Sequence, residues 1–169
     1  MFFDSANQSF SAFCDMESES GFIWTLIQSF SLANKDKFKN KMFGDDFPVN
    51  HANNDIDRSS HRLSLLQMQF IANQSTHFRA TCNFPTEGLQ YTDYARAKLE
   101  VLNILKNYKS MCLPFEYLNI RGNECSNCTA HAKQTLGHAW TMNSYQSKLQ
   151  GCQFDGSPGA KGDEQNFGR

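Results

Sequence analysis

The chain is expected to be an α+β protein with short strands, few helices and long loops. Three observations predict this. Several short stretches alternate apolar and polar residues with the period of a strand, while one long stretch has the period of a helix. Polar or glycine-punctuated segments separate them, around residues 31–60 and beyond residue 121. With 169 residues, 40% of them hydrophobic, a single folded unit would bury roughly 68–70% of its unfolded surface, so one domain over residues 1–169 is the expectation.

Residues 1–13 alternate weakly and read as an edge strand or hairpin leading to Cys14. In residues 23–30, Trp24 and Leu26 share one face while Ile23, Thr25 and Ile27 share the other, which predicts a strand buried on both sides. Residues 31–60 form a polar insertion whose lysines (Lys35, Lys37, Lys39, Lys41) read as a solvated face. In residues 63–71, Leu63, Leu66 and Phe70 favour a short helix over a strand.

Residues 76–84 form a cleaner strand, with Phe78, Ala80, Cys82 and Phe84 opposite His77, Arg79, Thr81 and Asn83, ended by Pro85. Residues 92–108 read as the main helix, capped by Thr92 and striped by Ala95, Leu99, Leu102 and Leu105. Residues 115–120 return to strand, and the remainder reads as loop.

Composition narrows the function. Sixteen basic against seventeen acidic residues, with no basic patch, argue against nucleic acid as a partner. No run of about 20 apolar residues predicts a membrane span. Six cysteines (Cys14, Cys82, Cys112, Cys125, Cys128, Cys152) and three N-glycosylation sequons, at Asn7, Asn73 and Asn127, point to an oxidising, extracellular location. The start lacks the features of a signal peptide, so the true N-terminus is expected upstream.

Two constellations invite a chemical reading. Cys125-Ser126-Asn127-Cys128 followed by His131 and His138 supplies zinc-ligand types, but the spacing is not that of a finger. The same pair would suit a redox site if residues 129–132 began a helix; half-cystines pairing outward to Cys112, Cys152 or beyond are the preferred identity. Asp163, Glu164 and Asn166 place oxygen ligands on a turn-rich tail, a candidate calcium loop. No Gly-x-Ser-x-Gly elbow, histidine motif or phosphate loop is visible, so no enzyme activity is expected.

The segment Phe13-Cys14-Asp15-Met16 leading into Trp24-Thr25-Leu26-Ile27 resembles the entry to a fibrinogen-like domain, with Gly21-Phe22-Ile23 where that family carries a run of glycines. Ser75-Thr76-His77-Phe78-Arg79-Ala80-Thr81-Cys82, Asn119-Ile120-Arg121-Gly122 followed by Cys125 and Cys128, and Gly162-Asp163-Glu164-Gln165-Asn166-Phe167-Gly168 are similar to stretches of a divergent invertebrate, intelectin-like subgroup. The resemblance implies an α+β, fibrinogen C-terminal-like fold with a central antiparallel sheet, few helices and long loops, incomplete at both ends, with Cys14 paired to a cysteine upstream. It also implies a secreted recognition module that binds glycans or matrix glycoproteins with the help of calcium, in a homo-oligomeric or disulfide-linked assembly. A structural module of the extracellular matrix without a small ligand is the alternative, followed by a zinc or redox protein.

Overall fold

The computed structural model describes residues 2–3, 9–50, 57–82, 93–142, 150–155 and 167. Its centre is a five-stranded antiparallel sheet built from β7 (His77–Thr81), β8 (Tyr94–Lys98), β9 (Tyr108–Ile120), β10 (Asn123–Gln134) and β11 (Thr141–Met142), in the order β11-β10-β9-β8-β7. Three two-stranded pairs precede or flank it: β1 (Phe2–Phe3) with β2 (Ser9–Phe10), β3 (Cys14–Asp15) with β4 (Trp24–Thr25), and β5 (Gln28–Phe30) with β6 (Ser60–Arg62). The described helices are short, α1 (Lys35–Phe38) and α2 (Leu65–Asn73). The class is therefore sheet-rich α+β with antiparallel pairing.

Long strands β9 and β10 are joined by Arg121-Gly122, with φ of 52° and 83°, and Ile120 pairs with Asn123 across the turn. Two consecutive positive φ values match the twist of a two-residue hairpin, and glycine meets that requirement without strain at the second position. The Asn119 carboxamide closes the corner by accepting from the Gly122 N–H at 2.9 Å. Residues 123–134, expected as loop, are thus the second strand of the longest hairpin among the described residues.

The expected helix over 92–108 is also corrected: residues 94–98 form β8, followed by turns. Ala95 and Ala97 are buried in the core while Arg96 and Lys98 point away from it, an alternation of period two. β10 uses the same device, with Cys128, Ala130 and Ala132 inward. Alanine favours helices in isolation, but here its small side chain lets the sheet lie close to Phe78, Leu102, Ile104, Phe115, Leu118, Trp140 and Phe154.

The 23–30 stretch is likewise not one two-sided strand. It divides into β4 and β5 in different pairs, Trp24 is only half-buried, and Ile23 is 71% exposed. The helix expected near 63–71 is present as α2, shifted by two residues because Ser64 caps it. Its side chain accepts from the Gln67 N–H, and the Gln67 side chain accepts from the Ser64 N–H. Within the polar insertion, α1 exposes its lysines and buries Phe38.

A second cluster of Phe10, Leu63 and Met68 joins the main core through Ile27, Phe43 and Leu105. Two buried polar residues stitch the seam. The Gln134 carboxamide donates to the Ile104 and Lys106 carbonyls and accepts from the Phe43 N–H at 3.0 Å. The Arg62 guanidinium donates to Gln28 Oε1 (2.9 Å) and to the Met42 and Asp45 carbonyls (2.7 and 2.8 Å), and its burial lowers its pKa to about 10. Its charge is met by these dipoles and, at longer range, by the Asp45 and Asp46 carboxylates, which ties residues 42–45 to β6.

Candidate ligand-binding site

The site follows from an irregularity shared by β9 and β10. In a regular strand, side chains two apart share a face and those three apart do not. In β9 the core residues Phe115 and Leu118 are three apart, and in β10 so are Cys125 and Cys128. The register runs from Ser126↔Tyr117 to Cys128↔Phe115, which sets Asn127 opposite Glu116. Asn127, with φ 50°, supplies the left-handed residue that lets β10 change phase, a conformation asparagine tolerates better than most residues.

This phase slip brings Cys125 and Cys128 to one side, with Cα atoms 6.2 Å apart, where they form a disulfide. Glu116, next to the inward Phe115, points away from the core and accepts from His77 Nε2 at 3.1 Å and Arg96 Nε at 3.3 Å.

Beside the slip is an open depression of about 280 Å³. Lys98, Glu116, Asn127, Thr129 and Gln153 give it polar groups, while Val101, Pro114 and Phe115 supply apolar surface. Gln153 is held in place by two bonds with β10: its Oε1 accepts from the Thr129 N–H at 3.0 Å, and its N–H donates to Thr129 Oγ1 at 3.1 Å. The neighbouring Cys112–Cys152 disulfide, with Cα atoms 5.5 Å apart, anchors residues 150–155 to β9. Bridged strands with fixed polar side chains around an apolar floor form a preorganised surface for a polar ligand.

The remaining polar face of β7 and β8 is already occupied. The β3–β4 hairpin lies on it, placing Asp15 against Arg79 at 2.9 Å and Glu19 against Arg96. Glu19 also accepts from Trp24 Nε1 (3.1 Å) and from the Tyr94 hydroxyl (2.7 Å). Arg79 lies 4.8 Å over the Trp24 ring, Arg96 lies 4.6 Å over Phe22, and the Phe22 and Trp24 rings stack at 5.1 Å. The Ser18 hydroxyl, helped by Arg79 and by the Ser18 and Glu17 N–H groups, holds the Asp15 carboxyl well below the usual carboxylate range. Burial and the bond to Glu19 push the Tyr94 phenol up.

The cysteine expectations are thereby sorted. Cys125 and Cys128 pair with each other, and Cys112 pairs with Cys152, so the outward pairing expected of the Cys125-x-x-Cys128 motif is corrected. Cys14, on β3, and exposed Cys82 stand outside both bridges. Residues 129–132 continue β10 rather than opening a helix, which removes the basis for a thioredoxin-type thiolate. The zinc reading loses its thiolates to the bridge, and His138 is exposed in the turn after β10. No group of three or more His, Cys, Asp or Glu side chains among the described residues is arranged to hold a metal.

His131 is buried on β10, with its Nε2 hydrogen-bonded to the Ser110 hydroxyl on β9. Burial, reinforced by Lys133, lowers its pKa. Sequence reasoning missed this pair because its residues lie 21 positions apart and meet only through the hairpin register.

Of the sequon asparagines, Asn73 is exposed at the end of α2 and Asn127 lies on the depression, while Asn7 falls outside the described residues. The candidate calcium ligands Asp163, Glu164 and Asn166 also fall outside them. No described helix is long and apolar enough to cross a membrane.

No family model, no curated protein and no solved structure matches the chain. The likeness to fibrinogen-like and intelectin-like domains rests on the sequence motifs alone. One of these motifs, Asn119-Ile120-Arg121-Gly122, serves here as the corner of the β9–β10 hairpin.

Proposed function

We propose that the protein is a secreted, disulfide-stabilised recognition module that binds glycans at the depression beside Asn127. The observation that carries this reading is the polar-rimmed, apolar-floored depression flanked by two disulfide-tied segments. Lys98, Asn127 and Gln153 offer donors and acceptors suited to sugar hydroxyls, and Val101 and Pro114 offer surface to the C–H face of a ring. Two disulfides and the sequons favour an extracellular setting. The fibrinogen-like resemblance adds calcium, with Asp163, Glu164 and Asn166 as its proposed ligands.

Binding at the depression and glycosylation at Asn127 exclude each other, because an attached glycan would fill the same space. Asn73, at an exposed helix end, is the acceptor this reading favours. The test is retention on immobilised neutral and acetylated sugars, with and without a calcium chelator, for the wild-type chain and for Asn127→Ala. Retention that falls with Asn127→Ala supports the site, and loss with chelator supports calcium. Absence of retention under all conditions overturns the glycan reading and leaves the matrix module.

A further inference from the structure

The wall of the depression carries a charge that its neighbours do not fully cancel. Three carboxylates, those of Asp15, Glu19 and Glu116, share two guanidinium groups, those of Arg79 and Arg96. With histidine counted neutral, one negative charge is left over in this connected group. Glu19 is enclosed by Arg79, Arg96, Tyr94 and Trp24, and Asp15 by Arg79 and Ser18. Glu116 is the member that lines the depression.

The contacts of Glu116 are one-sided. His77 Nε2 and Arg96 Nε both meet Oε2, so Oε1 has no partner among the described residues. The side chain is nevertheless only 26% exposed, which keeps its charge from being fully screened by water. A carboxylate aimed by two donors, with one oxygen left open, accepts from a ligand donor, and most strongly from one that is positively charged.

Lys98 is the opposing charge in the same depression, and exposure decides between the two. Its side chain is 48% exposed, and its Nζ lies 3.9 Å from the still more exposed Glu100. Water and that partner both weaken its field, whereas the more enclosed Glu116 acts at closer quarters.

Resting on the glycan reading above, we propose that the depression selects saccharides bearing a free amine, with Glu116 as the residue that determines this specificity. The ligand's ammonium donates to Glu116 Oε1 and supplies the positive charge the carboxylates lack. Ring hydroxyls meet Asn127 and Gln153, and the C–H face of the ring lies on Val101 and Pro114. Neutral sugars make the same contacts without the charge and bind more weakly. Acidic sugars are opposed by Glu116.

The experiment is isothermal titration of the full chain at pH 7 and low salt with glucosamine, glucose and glucuronate, and with ethanolamine as an amine without a ring. Glucosamine should bind about tenfold more tightly than glucose, and glucuronate should be weakest. Glu116→Gln keeps an acceptor oxygen but removes the charge, and should bring glucosamine to the level of glucose. Lys98→Gln leaves the contacts of Glu116 in place and should strengthen glucosamine a few-fold further, so it keeps the test open if Trp140 emission shows that Glu116→Gln has unfolded. Equal affinities for glucosamine and glucose in the wild type, a preference that survives in folded Glu116→Gln, or weaker glucosamine binding by Lys98→Gln would overturn the proposal while leaving the glycan reading in place. Ethanolamine as tight as glucosamine, or no binding of any sugar, would overturn both.

Discussion

The two tryptophans mark the two faces of one sheet, and the faces cohere for different reasons. Trp140 is 4% exposed on the apolar face, edge-on to Phe78 at 5.7 Å and tilted against Phe167 at 5.5 Å. Trp24 is half-buried on the polar face, where its ring lies under Arg79 and its Nε1–H donates to Glu19. Around Trp140 the cohesive term is removal of carbon from water, which neither salt nor acid changes much. Around Trp24 it is the pairing of Arg79 and Arg96 with Asp15, Glu19 and Glu116, and both salt and acid weaken that. Apolar packing fixes the architecture, and charge determines what lies on its other face.

The largest effect that separates the faces is expected from Trp140→Ala. Loss of a fully buried tryptophan should cost about 3–5 kcal/mol and lower the unfolding midpoint of the whole sheet. Trp24→Ala should cost clearly less, because that ring is only half-buried and lies between Phe22 and Arg79 rather than in the apolar core. Equal losses in urea unfolding would erase the distinction drawn here.

Next in size is the Cys112–Cys152 bridge. Closing a span of 40 residues should contribute about 3–4 kcal/mol in the chain-entropy picture, against about 2 kcal/mol for the short Cys125–Cys128 loop. Paired serine variants compared by denaturant midpoint check the order, and the reverse order would show that the short bridge carries global stability.

A smaller and more local change is expected from Glu19→Gln. It retains a hydrogen-bond acceptor for Tyr94 and Trp24 but removes the charge facing Arg96 and Arg79, at a cost of about 1.5–3 kcal/mol for bonds to a charged group. Its signature should be a red shift of Trp24 emission and faster alkylation of Cys14, with the Trp140 environment preserved. A shift of both tryptophans together would mean that the hairpin is part of the core.

How far the sequence foretold this depends on which force builds each part. β7 was legible because Phe78 and Ala80 alternate with His77 and Arg79, and α2 because Leu63, Leu66 and Phe70 fit one helical face, although the residues α2 buries are Gln67 and Met68 and Leu66 is exposed. β8 and β10 were not, because their inward positions are Ala95, Ala97, Ala130 and Ala132. Alanine registers as a helix former until neighbouring strands make its small size an advantage. The two positive-φ residues at Arg121-Gly122 were a hairpin signal read instead as a family motif. Of the site, Cys125 and Cys128 were visible as a spaced pair. The phase slip was not, since it arises from matched irregularities in two strands, and Lys98, Glu116 and Gln153 converge on it from three separate segments.

The most direct test of the two-face account follows Trp24 alone, in Trp140→Phe protein, and Trp140 alone, in Trp24→Phe protein, as the pH is lowered from neutral. Asp15 is depressed in the fold, so its contribution is complete above its unfolded value of about 3.9 and is lost as the pH falls through the lower folded value. The account predicts that Trp24 emission shifts to the red at a higher pH than Trp140 emission, and that added salt raises the pH of the Trp24 transition while leaving that of Trp140 in place. A single coincident transition for both tryptophans, unmoved by salt, would contradict it.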